Sequence, residues 1–164
     1  MSIYEIIGLV LLIILLIAGF TKYENKLTYR TVPLFSPAEK NFLKALDRSV
    51  GKKYRIFAKV RIADIVLPGK MLNQKQWRKH FWKISSKHID YVLCDYKTLD
   101  IVCLIELNDK SHQRKDRKDR DILVTKICES ANIPLVWINV RRSYDSLHIE
   151  NKIAQAILQP QGEG

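Results

Sequence analysis

Ser86-Lys87-His88-Ile89-Asp90-Tyr91-Val92-Leu93-Cys94-Asp95, followed by Ile101-Val102-Cys103-Leu104-Ile105-Glu106-Leu107-Asn108-Asp109, decides the reading of this chain. The two runs predict neighbouring β-strands, rich in Val, Ile, Leu and Tyr and joined by a polar turn from Tyr96 to Asp100. Each strand carries one carboxylate inside its apolar run. A charged side chain in a buried strand costs several kcal/mol unless it is paired or binds a metal. Two such costs on adjacent strands point to a shared task, and holding a divalent cation is the simplest one. Asp90 and Glu106 are therefore the leading candidates for a metal-dependent site.

Working outward, Ser36, Pro37 and Glu39 have the pattern of N-cap, first helical residue and capping-box partner. Phe42, Leu43, Leu46 and Val50 form the apolar stripe of the helix they start, and Gly51 ends it. Glu39 lies on the buried side of that helix, so it has two readings, a cap or a group reaching a site. Residues 54–67 contain β-like runs, with Asp64 in the second, and Pro68-Gly69 closes them. In residues 70–86, Trp77, Phe81 and Trp82 alternate with Lys and Arg. This suits either stacking on nucleobases or a helix packing its aromatics on the core.

Residues 109–121 are nearly all polar and read as a solvated loop entering a helix from about Arg117 to Asn132, which packs Leu123, Ile127 and Ala131. Leu135 to Val140 reads as another strand, Asp145 to Leu158 as a final amphipathic helix, and 159–164 as a disordered tail. Strand-helix-strand near the C-terminal side implies a parallel crossover, so the fold class is α/β with a mixed sheet and helices on both faces.

The 164 residues carry a formal net charge of +11, although the first twenty hold Glu5 and no Lys or Arg. Such an excess favours a polyanionic partner, nucleic acid or anionic lipid. Cys94, Cys103 and Cys128 lack metal-ligand spacing and read as reduced core residues of a cytosolic compartment. The apolar run from Ile6 to Phe20, extended by Ile3 and Tyr4, predicts a transmembrane anchor over 3–20 rather than a cleaved signal peptide. A juxtamembrane linker follows over 21–32, and the main domain occupies 33–158. Lys22, Lys26 and Arg30 follow the run and nothing positive precedes it, so the soluble domain should face the cytoplasm.

This order, with Asp90 and Glu106 on adjacent strands, resembles the restriction-endonuclease-like PD-(D/E)XK nuclease superfamily, whose core is α-β-β-β-α-β. A closer resemblance is to the bacterial family numbered 2726 among domains of unknown function, related to the very-short-patch-repair endonuclease branch. Its matching stretches are Ser36-Pro37-Ala38-Glu39 through Phe42-Leu43, Lys59 to Asp64, Ser86 to Leu93, Ile105 to His112, Arg120-Asp121 and Ile133-Pro134-Leu135. The resemblance implies a Mg²⁺- or Mn²⁺-dependent endonuclease on the inner membrane of a bacterium, acting on DNA before RNA.

In that reading Asp90 and Glu106 hold the cation, and Asn108 or the Leu107 carbonyl completes its shell. Asn108 stands where the superfamily has lysine. Lys126 or Lys87 is the expected substitute, and His112 matches the histidine of the short-patch-repair branch. Glu39 and Asp64 assist from the flanks, and Arg114, Lys115, Arg117, Lys118 and Arg120 grip the phosphate backbone. Two other readings stay open: a nucleic-acid-binding module without cleavage on the same fold, and a scaffold on anionic lipid.

Overall fold

A computed structural model of the protein describes residues 2–24, 28–108 and 115–159, the side chains of 20–24 and 115–117 excepted. The chain divides into two compact units, Met1–Leu34 and Phe35–Gly164. The first is built on α1 (Ile3–Glu24). Its start is capped by the Glu5 carboxylate, which accepts from the Ser2 amide at 2.7 Å. Among the described residues, no helix is long and apolar enough to cross a membrane. The span expected over 3–20 is thus not supported.

The second unit keeps the expected order, except that the second β-like run, with Asp64, is a 3-10 turn and not a strand: α2 (Pro37–Val50), β1 (Tyr54–Arg61), the 3-10 turn (Ile62–Asp64), α3 (Gln74–Ile84), β2 (His88–Asp95), β3 (Ile101–Asn108), α4 (Lys115–Ser130), β4 (Leu135–Asn139) and α5 (Ser146–Leu158). The sheet order is β1-β2-β3-β4. β1, β2 and β3 pair antiparallel, and β3 pairs parallel with β4 through the α4 crossover. Local chemistry sets the boundaries. Ser36 and Glu39 form a reciprocal capping box at α2. Asn132 takes a left-handed φ of 52° just past α4, as an Asn at a helix stop can.

Two hydrophobic cores cover the two faces of the sheet. Phe42, Leu46, Ile149 and Ile153 of α2 and α5 pack on Tyr91, Leu93, Cys103 and Ile105. Ile84, Val124 and Cys128 of α3 and α4 pack on Ile89, Val92 and Leu104. The three cysteines are free and buried, and burial pushes the Cys103 and Cys128 thiols up to about 12.

One irregularity positions everything that follows. Alternate strand residues should face the same side. Tyr54, Ile56 and Ala58 pack on the α2/α5 core, but Val60 packs on the α3/α4 core. On β2 the same switch separates Tyr91 and Leu93 from Ile89. The pairs Ala58 with Tyr91 and Val60 with Ile89 place Lys59 opposite Asp90, at the switch in both strands. Lys59 makes that turn in the left-handed region, at φ 56°. This conformation costs a non-glycine residue roughly 1 kcal/mol or more, and such strain clusters at functional sites.

Candidate functional site

Glu39, Asp90, Glu106, Asn108, Arg120 and Asp121 line one pocket of about 260 Å³. Its four carboxylates come from four elements, α2, β2, β3 and α4. Glu39 is held by its own helix start: one carboxylate oxygen accepts from the Ser36 amide at 2.7 Å, and the other accepts from the Lys59 ammonium. One oxygen of Glu39 thus serves the capping box and the other pairs with Lys59. The Tyr91 hydroxyl donates to the Glu39 carbonyl at 2.7 Å and ties the first turn of α2 to β2. Asp90 bridges the strands. Its Oδ2 accepts from the Leu107 amide at 3.0 Å, and its Oδ1 accepts from Lys59 at 3.1 Å.

Glu106 is the one buried charged side chain among the described residues, 1% exposed. A single guanidinium nitrogen of Arg120 donates to both its oxygens at 3.0 Å and also to the His88 carbonyl at 3.0 Å. Burial is the main influence on the Glu106 carboxyl and, with the negative charge of Asp90, pushes it up to about 7 against the pull of Arg120. Burial acts on Glu39 in the same sense, but the hydrogen bonds from Lys59 and Ser36 outweigh it and lower its carboxyl. Burial depresses the Lys59 ammonium, while Glu39 and Asp90 more than compensate and raise it. The site is thus four carboxylates on two cations: Lys59 holds Glu39 and Asp90, and Arg120 holds Glu106 and its neighbour Asp121.

Of the residues expected from sequence, Glu39, Asp90, Glu106, Asn108 and Arg120 come together here. Arg120 is engaged by Glu106 rather than presented to a phosphate backbone. Lys126 lines a different recess, with Asn108, Asp121, Thr125, Glu129 and Trp137. Asp64 does not join the pocket; it pairs with Arg61 at the surface. Lys118 is exposed on α4, and the backbones of Lys115 and Arg117 lie in the first turns of that helix. His112 and Arg114 lie outside the described residues. The residue that sequence reasoning missed is Lys59. Its signal was present: a lysine between Ala58 and Val60 in an apolar strand carries the same burial cost that singled out the two carboxylates.

Among the described residues, no group of three or more His, Cys, Asp or Glu side chains is placed to hold a metal ion. Mg²⁺ asks for less, one or two carboxylates with waters and substrate phosphate oxygens. Asp90 and Glu106 meet that requirement, and their oxygens now accept from Lys59, Arg120 and the Leu107 amide. A family model described as "Protein of unknown function (DUF2726)" matches residues 31–157. No curated protein and no solved structure matches the chain.

Proposed function

We propose, for a chain that belongs to the DUF2726 family of proteins of unknown function, a divalent-metal-dependent nuclease on the restriction-endonuclease-like PD-(D/E)XK fold that hydrolyses phosphodiester bonds in nucleic acid, DNA before RNA. One observation carries this reading: Glu39, Asp90 and Glu106, from three separate elements, line a single pocket, and Lys59 holds two of them. Asp90 and Glu106 would hold Mg²⁺ or Mn²⁺, with Asn108 or the Leu107 carbonyl as a further oxygen donor. When bound, the cation supplies positive charge at the scissile phosphate and lowers the pKa of an attacking water. Lys59 takes the place of the lysine absent at position 108. It would bring a fixed positive charge beside Asp90, where Glu39 also holds it. Lys118 and its basic neighbours on α4 supply phosphate contacts.

The tether is the part of the reading that rests on sequence. The run from Ile6 to Phe20 is apolar throughout, its described large side chains are exposed, and Lys22, Lys26 and Arg30 follow it. This supports an anchor in the inner membrane of a bacterium with the domain on the cytoplasmic side. The second reading, a binding module without cleavage, draws on Arg120, which occupies both oxygens of Glu106.

The test is cleavage of plasmid, single-stranded DNA and RNA by the full chain in detergent, with Mg²⁺, Mn²⁺ or a chelator. Cleavage should require the cation and fall about 100-fold or more in a folded Glu106→Gln variant. If nothing is cut while salt-sensitive binding persists in chelator, the binding module replaces the nuclease.

A further inference from the structure

Between Ile65 and Ile89 the chain holds six Lys or Arg residues and no Asp or Glu. Four of the six, Lys75, Arg78, Lys79 and Lys83, are exposed on α3. The apolar side of that helix is already in use. Ile84 is buried, Phe81 packs on the α3/α4 core, and Trp77 stacks on Phe81 with ring centroids 5.0 Å apart. Trp82 is left over. It is 71% exposed, and its position groups it with Lys75, Arg78 and Lys79 at the i, i+3, i+4, i+7 spacing of one helix face. The aromatic cluster read from the sequence thus divides: Phe81 goes to the core with Trp77 against it, and one indole stands outside in a row of cations.

We infer that this face of α3 docks a single-stranded stretch of nucleic acid, with backbone phosphates on Lys75, Arg78 and Lys79 and an unpaired base on the indole of Trp82. The inference rests on the nucleic-acid reading proposed above and names the form of its substrate. Charge complementarity selects a polyanion, because the segment contains no carboxylate to neutralise its cations. Helix geometry selects against an anionic membrane: a helix lying in a lipid surface turns its apolar face outward into the acyl boundary, and that face of α3 is packed inward. The exposed indole selects an unpaired base over a duplex, since stacking needs an open π-face and tolerates any base.

The experiment measures anisotropy of a labelled oligothymidine of about 20 nucleotides, and of a duplex of equal length, on the full chain in detergent and chelator. Phosphatidylserine vesicles form a separate arm. The single strand should bind more tightly than the duplex. Trp82→Ala should weaken single-strand binding about 5- to 100-fold, and Trp82→Phe should restore most of the loss. Lys79→Gln should reduce the slope of log affinity against log salt by about 0.7. Because Trp82 is exposed, its variants should melt with the wild type. Single-strand affinity of Trp82→Ala within about twofold of wild type overturns the inference, and so does a variant that loses vesicle binding but not oligonucleotide binding. The two readings fail separately. Trp82-dependent binding without cation-dependent cleavage sinks the nuclease alone, and Glu106-dependent cleavage with Trp82 indifferent sinks this docking face alone.

Discussion

Lys59→Met should lower the single-turnover rate of metal-dependent cleavage about 100-fold or more while changing nucleic-acid affinity little. Methionine keeps the apolar stem and deletes only the ammonium. That ammonium pairs with Glu39 and Asp90, two of the carboxylates that line the pocket. Its removal leaves Glu39 with the Ser36 amide and Asp90 with the Leu107 amide, so both carboxylates keep a partner and the fold should survive. The left-handed backbone at position 59 is as unfavourable for methionine as for lysine. The split between rate and affinity is decisive, because a lysine that merely braced α2 against the sheet would alter stability and leave the chemical step alone. Lys59→Arg should recover part of the rate. An unchanged rate in Lys59→Met would assign this residue to architecture.

Arg120→Ala should destabilise the protein, and by up to about 1.4 kcal/mol more near pH 8 than near pH 5. Glu106 is buried and Arg120 is its ion-pair partner, so truncation strands a charge in the interior. The loss should depend on pH, with a definite sign. The folded-state carboxyl of Glu106 is raised to about 7 from an ordinary 4.5. The folded protein therefore binds this proton more tightly than the unfolded chain, and wild-type stability declines as pH rises from about 4.5 through about 7. Removing Arg120 disfavours the ionised form further. Near pH 5 Glu106 is protonated with or without its partner and the deficit should be smallest; near pH 8, about one unit above the folded-state value, it should be larger by up to about 1.4 kcal/mol. Adding Glu106→Gln to the variant should recover much of the deficit at the higher pH. Thermal melts at the two pH values decide the matter, and equal deficits would trace the contribution of Arg120 to the His88 carbonyl instead.

The architecture was legible wherever local chemistry sets it. Single carboxylates inside two apolar runs marked β2 and β3, Ser36 with Glu39 marked the start of α2, and Asn132 marked the end of α4. Of the site, the carboxylates were legible for the same reason: a buried charge is conspicuous against an apolar pattern. The cations that hold them were harder to read. Arg120 sits among alternating charges in 114–121, where nothing in the sequence distinguishes the residue that turns toward Glu106 from its exposed neighbours Lys118 and Asp119. Lys59 depends on a left-handed residue that switches the facing of β1, and periodicity assumes that no such switch occurs. Trp77, Phe81 and Trp82 could be read together as core or together as surface. Their division follows from which helix face meets β2 and α4, a tertiary fact.

The central claim is that Asp90 and Glu106 together hold a divalent cation, and Mn²⁺ binding to the full chain, followed by electron paramagnetic resonance, tests it most directly. Wild-type protein should take up Mn²⁺ in competition with Mg²⁺, and Asp90→Asn and Glu106→Gln, each folded by thermal melt, should both lose that uptake. Equal Mn²⁺ binding by wild type and both variants would contradict the account and leave the two carboxylates as partners of Lys59 and Arg120 alone.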